Sequence, residues 1–212
     1  MCIKTVIKIF DKISLSVTVN FAGMEHIEDE TFTRSTPAQI IGRNRTYEHC
    51  TFISCDLAGA NLNGIVFIDC LFDGCNLALC DTSDTGLQNV RFKHCKLSGV
   101  NFDKSRDFLY ETHFENCKLD NAIFYKKKCK KATFNDCSMI ETDLTEADLT
   151  EATFKNCNLS RAFFSRTTLK GADLRSSFNF SIDPNDNMIK KARFSMYGLA
   201  GLLTKFDIKI ED

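Results

Sequence analysis

Tryptophan is absent from this 212-residue chain, and proline occurs only twice, at Pro37 and Pro184. Proline lacks the N–H that a strand ladder needs, so its rarity leaves room for an uninterrupted ladder through the middle of the chain. No apolar run approaches the ~20 residues that a membrane span requires, and no membrane partner is expected. Neither sign of charge dominates: the formal net charge is −1, which points to neither a direct nucleic-acid binder nor a strongly acidic polymer. Histidine is scarce, at His26, His49, His94 and His113. No histidine pairs with an acid at triad or metal-ligand spacing, and there is no Gly-rich phosphate loop. No catalytic, cofactor or metal site is indicated, so the chain reads as a non-enzyme. One further gap is local: between Thr46 and Val90 there is no Lys or Arg at all.

What the chain has instead is phenylalanine, cysteine and a period. From Phe52 a large apolar residue recurs at every fifth position: Leu57, Leu62, Phe67, Phe72, Leu77. Two residues before each stands a smaller one: Cys50, Cys55, Ala60, Ile65, Cys70, Cys75. Thr82 breaks the large series, which resumes at Leu87 and, after a two-residue offset, runs from Phe114 to Leu174 with Cys129 as its one small member. Neither a helix nor a simple alternating strand gives this spacing. A fixed short period marks a solenoid, whose units bury their apolar faces only by stacking on their neighbours. The period has a second layer. Phe52, Phe72 and Phe92, then Phe114, Phe134 and Phe154, are twenty apart, as are Cys55, Cys75, Cys95 and then Cys117, Cys137, Cys157. Four units therefore make one coil. At ~4.8 Å per coil the run from Phe52 to Leu174 spans roughly 29 Å, with a Phe ladder and a Cys ladder inside.

Ala60-Asn61-Leu62, Ala147-Asp148-Leu149 and Ala172-Asp173-Leu174 resemble the pentapeptide-repeat family, whose unit reads A-(D/N)-L-x-x. The resemblance covers about residues 48–176. It implies an all-β fold, a right-handed quadrilateral parallel β-helix, with the handedness taken from the resemblance alone.

The expected organisation is an N-terminal extension or cap strand over 1–24, the β-helix over 25–176, and a C-terminal cap over 177–212. In the first segment Ile13, Leu15, Val17, Val19 and Phe21 alternate as a strand. Lys8, Asp11 and Lys12 interrupt any signal-peptide core. In the last segment Ser195 is placed to cap a helix over Met196–Lys205, followed by a strand over Asp207–Glu211. An Ile-Asp-Pro turn, a helix and a terminal strand resemble the end module of the Qnr-type gyrase-protecting members of the family, where that module dimerises. The resemblance implies a homodimer, with Leu199, Leu202 and Leu203 as the candidate interface.

Of the eleven cysteines, nine occupy the small inward slot, where a thiol acts as a compact hydrophobe. Reduced, buried cysteine points to a cytoplasmic location. Cys129 and Cys2 stand outside that pattern and are the expected reactive thiols. Lys127 takes a small inward slot and Cys129 a large one, so this side is expected to bulge, since an unpaired buried ammonium is costly. The remaining lysines of the run Lys126–Lys131 are expected to pair with Glu146, Asp148 and Glu151 one coil later.

Two functions remain open. One is an interaction scaffold with an unidentified protein partner. The other is a binder of a type II topoisomerase by partial DNA mimicry, which the family resemblance suggests and the acidic first coils support. Its candidate contacts are Asp69, Asp73, Asp81 and Asp84, together with Phe108 and Tyr110 from the insertion between Phe102 and Phe114.

Overall fold

The computed structural model describes residues 3–9, 13–19, 25–42 and 44–209. It is a right-handed four-sided β-solenoid of about six turns. In nearly every unit the central residue points inward and the residue two positions later adopts a left-handed backbone, as at Ser54 (φ 51°), Asp69 (φ 52°) and Asp84 (φ 52°). That turn brings the next short strand round a corner. Left-handed conformations favour glycine, yet most corners here carry Asn, Asp, Lys, Glu or Arg. Backbone hydrogen bonds to the coils on either side hold those corners in place, as where Ser54 N–H donates to the Asp73 carbonyl (2.8 Å).

Two faces form parallel sheets. The first face stacks Arg45–Glu48, Val66–Ile68 and Gly86–Gln88. The second stacks Thr31–Thr33, Thr51–Ile53, Leu71–Asp73, Val90–Lys93, Thr112–Glu115, Thr133–Asn135 and Thr153–Lys155. The third and fourth faces are joined by single parallel bridges, such as Asn76 to Lys96 and Ile123 to Asp143. On the second face Phe32, Phe52, Phe72, Phe92, Phe114, Phe134 and Phe154 form one stack, with ring centroids 4.5–5.3 Å apart and planes within 16°. The Phe92–Phe114 step, at 5.3 Å, crosses the two-residue offset without a break. Lys96–Lys118 and Asn101–Ile123 do the same on the third and fourth faces. The two extra residues are therefore absorbed wholly on the first face.

The cysteine ladder is present and reduced. The ten cysteines among the described residues are free and buried. Along the third-face column every thiol but that of Cys137 donates to the carbonyl of a second-face Phe in the coil before, as from Cys75 to Phe52 (3.3 Å), Cys95 to Phe72 (3.4 Å) and Cys157 to Phe134 (3.2 Å); Cys137 donates to the Asn135 carbonyl (3.2 Å). Burial pushes the Cys80 and Cys129 thiols up to about 12. Cys129 is thus shielded, against the reactivity expected of it, because Tyr110 packs over the space its small side chain leaves. Thr82, the polar break in the large series, is buried, and its hydroxyl donates to the Asn101 carbonyl (2.5 Å).

Both ends of the coil are covered. At the N-terminus Ile3–Ile9 and Ile13–Val19 form an antiparallel hairpin, and the second strand pairs antiparallel with Glu25–Glu28. An otherwise open edge is thereby occupied. The alternating stretch runs as a strand to Val19, and Phe21 lies outside the described residues. At the C-terminus bridging continues past Ser176, through Thr168–Met188 and Asp173–Arg193. The helix expected over Met196–Lys205 is present as two 3₁₀ segments, Met196–Leu202 and Thr204–Phe206. The Ser195 cap does form, its Oγ accepting from Gly198 N–H at 3.2 Å. Gly198 and Gly201 seat against Phe180, and a Cβ at Gly201 would lie 2.4 Å from the Phe180 carbonyl oxygen. Glycine's low helix propensity and this close seating favour the tighter winding. Asp207–Lys209 form no strand, contrary to expectation, since Asp207 turns left-handed (φ 48°); the rest of that segment lies outside the described residues.

Phe134 sits fully buried between Phe114 and Phe154. Phe134→Ala is expected to cost ~3–5 kcal/mol in urea denaturation through lost burial and a cavity. Thr133 is half-buried and its hydroxyl makes one side-chain contact, with His113 Nδ1 (3.0 Å), so Thr133→Ala is expected to cost about 1 kcal/mol or less. Equal losses would show the inward register to be wrong. Native alkylation with iodoacetamide, read by mass spectrometry, is expected to leave all ten buried cysteines unmodified and to reach at most Cys2. Native disulfides along the Cys55–Cys157 column would contradict this.

Candidate functional site: a locked loop on the first face

Where the first face should carry its next strand after Gly86–Gln88, residues 106–111 form a loop. Backbone bonds pin its ends: Arg106 N–H donates to the Thr85 carbonyl (2.9 Å) and Glu111 N–H to the Leu87 carbonyl (3.0 Å). Arg106 also holds Asp84 through two contacts, of 2.8 and 3.0 Å.

The loop is locked from beneath by Lys127. This side chain is 1% exposed. Its Nζ donates to the Ser105 carbonyl (2.6 Å), lies 3.0 Å from Asp107 Oδ1, and sits 4.4 Å from the Tyr110 ring centre. Burial lowers its pKa from the ordinary lysine value, and the Asp107 carboxylate opposes that shift. The bulge expected at Lys127 and Cys129 does not form: the backbone there keeps the regular coil bonds, as from Cys129 N–H to the Asp148 carbonyl (2.8 Å), because the ammonium is paired rather than stranded. The inverted slots at Lys127 and Cys129 are two halves of one arrangement. A long side chain reaches up into the loop, and a short one leaves room for Tyr110.

Tyr110 therefore is not an exposed contact. It folds back half-buried, its hydroxyl accepting from Thr112 Oγ1 (3.2 Å), and burial raises its pKa well above the usual phenol value. Phe108 and its neighbour Leu109 do face outward, 72% and 63% exposed. Beside them lies a groove of about 440 Å³ lined by Ile68, Asp69, Gln88, Asn89, Leu109, Tyr110 and Glu111. Of its lining only Asp69 and Tyr110 stood out in the sequence. The signal available for the rest was the pairing of a long residue in a small slot with a small residue in a large one, a coil after an insertion.

The four candidate aspartates do not form one surface. Asp73 follows Phe72 on the second face, and Asp81 precedes Thr82 on the fourth, two units away and on the opposite side. Asp69 and Asp84 occupy the corners that flank the first face. Each has its own partner. Asp69 lies 3.7 Å from His49, and Asp73 lies 2.8 Å from His94. Asp81 accepts from Ser83 N–H and Oγ, which lowers its pKa, and the Arg106 guanidinium does the same for Asp84. The lysine run forms part of the expected charge ladder. Lys126 pairs with Glu146 (3.6 Å), which also takes Arg166 (2.6 Å). Asp148 pairs with Lys130 (3.4 Å) rather than Lys128, which lies 4.0 Å from Asp107.

The C-terminal end carries a second exposed apolar group. Met196 and Tyr197 are 82% and 99% exposed, with Leu199, Phe206 and Ile208 also outward. The three proposed interface leucines do not share a face. In a 3₁₀ helix residues three apart align, so Leu199 and Leu202 fall on one side and Leu203 on another. Leu202 packs against the core.

The model for the pentapeptide repeat region matches residues 46–106 and 109–178, breaking at the loop. Among solved structures, a trypsin-treated variant of QnrB1, a plasmid-mediated fluoroquinolone resistance protein, is similar at 19% identity and a TM-score of 0.58. That match covers 88% of this chain and 97% of the other. Full-length QnrB1 is similar at 20% identity and a TM-score of 0.52, over 86% of this chain and all of the other. These likenesses establish the fold. No curated protein matches the chain.

Lys127→Met is expected to lower stability by ~1–3 kcal/mol, because the Ser105 carbonyl loses its buried donor. Hydrogen exchange at 106–111 should accelerate about tenfold or more, while the Phe ladder stays protected. Unchanged exchange would mean that the two backbone bonds alone hold the loop.

Proposed function

The chain belongs to the pentapeptide-repeat family, and on that premise we propose that it is a non-enzymatic scaffold which binds protein partners as a homodimer joined through its C-terminal end. The observation that carries this reading is where the exposed apolar side chains fall. Ile53, Leu79, Phe163, Phe178 and Met188 are exposed at scattered positions along the coil, whereas Met196, Tyr197, Leu199, Phe206 and Ile208 fall together in the C-terminal segment, and Phe108 and Leu109 side by side on the loop. Clustered exposed apolar residues mark contact surfaces. Two-fold dimers are the commonest oligomers, and of the three leucines only Leu199 belongs to the exposed group that such a pairing would cover.

A second reading rests on the acidity of the early coils, where no Lys or Arg occurs between Thr46 and Val90. It is a DNA-mimicking binder of a type II topoisomerase, a function that QnrB1's description as a fluoroquinolone resistance protein also invites. The spread of the four aspartates around three sides of the coil counts against it.

Light scattering at micromolar concentration is expected to give twice the 24.0 kDa chain mass. Tyr197→Asp/Leu199→Asp is expected to give the monomer. A monomeric wild-type protein would sink the dimer. A gyrase supercoiling assay with and without a fluoroquinolone separates the two readings. Relief of drug inhibition by the wild-type protein, lost in Asp69→Asn/Asp73→Asn/Asp81→Asn/Asp84→Asn and at high salt, would favour mimicry; no effect under any condition leaves the scaffold.

A further inference from the structure

The loop and the corner beneath it carry more than an exposed apolar pair. Leu109 holds a left-handed backbone (φ 53°), uncommon for leucine, while 63% exposed. Burial therefore does not explain why a leucine stands at a position that glycine or asparagine would occupy with less strain. The groove beside it has an apolar floor, made by Ile68, Leu109 and the Tyr110 ring. Its rim is polar and carries two carboxylates, Asp69 and Glu111, with the amides of Gln88 and Asn89 between them. The groups facing these carboxylates are histidines and an amide. His49 lies 3.7 Å from Asp69, His113 lies 3.2 Å from Glu111, and Asn89 Nδ2 donates to Asp69. The nearest arginine in sequence, Arg91, is exposed on the second face, and Arg106 is engaged with Asp84 at the far corner. Among the described residues neither carboxylate is ion-paired with a lysine or an arginine.

The loop that forms one wall is also fixed in advance. Lys127 ties the Ser105 carbonyl, the Asp107 carboxylate and the Tyr110 ring to one buried point. A surface ordered before binding loses less conformational freedom on association.

We propose that this groove binds a segment of a partner protein in which an arginine or lysine stands next to a large apolar side chain. The apolar residue would lie on Ile68, Leu109 and the Tyr110 ring, with Phe108 exposed at the groove's edge, and the cation between Asp69 and Glu111. This rests on the scaffold reading and adds to it the chemistry of the partner and the place where it docks, separate from the C-terminal end.

The test uses the full chain and four end-capped, fluorescein-labelled twelve-residue peptides: Arg–Leu, Gln–Leu, Glu–Leu and Arg–Ser repeats. Binding is read by anisotropy and located by hydrogen exchange. The Arg–Leu peptide is expected to bind about tenfold or more tighter than the Glu–Leu and Arg–Ser peptides and to protect 106–111 and the 68–69 and 88–89 strips. Phe108→Ser/Leu109→Ser and, separately, Asp69→Asn/Glu111→Gln should each weaken it about tenfold. Both pairs are exposed or partly so, and an unchanged melting temperature would confirm that the variants fold. Equal binding of all four peptides, or unaltered binding by both double variants, overturns the proposal. So does the absence of binding, while a wild-type dimer by light scattering would still uphold the scaffold. Protection on another face of the coil overturns the groove but not the scaffold. A change of oligomeric mass in Phe108→Ser/Leu109→Ser would assign the surface to a second copy of the chain and likewise overturn it.

Discussion

Everything in this molecule depends on one contact repeated: an inward side chain resting on its equivalent one coil away. No unit of five residues closes a core of its own. Phe52 has a dry surface only because Phe32 lies beneath it and Phe72 above, and burying each such ring is worth roughly 1.5–3 kcal/mol. The same constraint explains the antiparallel hairpin on Glu25–Glu28 and the 3₁₀ turns seated on Phe180. Each end coil lacks a neighbour, so something else must take its place.

That constraint also determines what could be read from the sequence. Inward positions are held to period, and the Phe and Cys columns stand where spacing placed them. Outward positions are under no such rule. The aspartates looked like one patch because they are close in sequence, although Asp73 and Asp81 are two units apart and face opposite ways. Counting units, rather than residues, would have separated them. The C-terminal module was misread for a different reason. Capping and apolar spacing marked a helix, but the fit of Gly198 and Gly201 against Phe180, which goes with its 3₁₀ winding and with the parting of its leucines, is a tertiary contact that no local pattern displays.

The loop lies between these cases. Its existence followed from the two-residue offset, and its anchor was visible as a defect, a lysine in an inward slot. The defect resolves only when Lys127 is set against Ser105, Asp107 and Tyr110, some twenty residues earlier. The buried charge and the outward Phe108 and Leu109 are then parts of a single arrangement, since the pairing that satisfies the ammonium also fixes the segment that displays the apolar side chains.

The first face has a further consequence. A stacked coil behaves as a one-dimensional chain of units coupled to nearest neighbours, and its cooperativity is set by the weakest coupling. That link lies where the strand after Gly86–Gln88 is missing and one sheet gives way to a loop. The second, third and fourth faces still cross the gap, but the first contributes no regular ladder there. Under mild denaturant the chain should part there, into an early segment capped by the hairpin and a late one capped by the 3₁₀ turns. The position that distinguishes this coil on its surface is thus also where two units of unfolding would be expected to part.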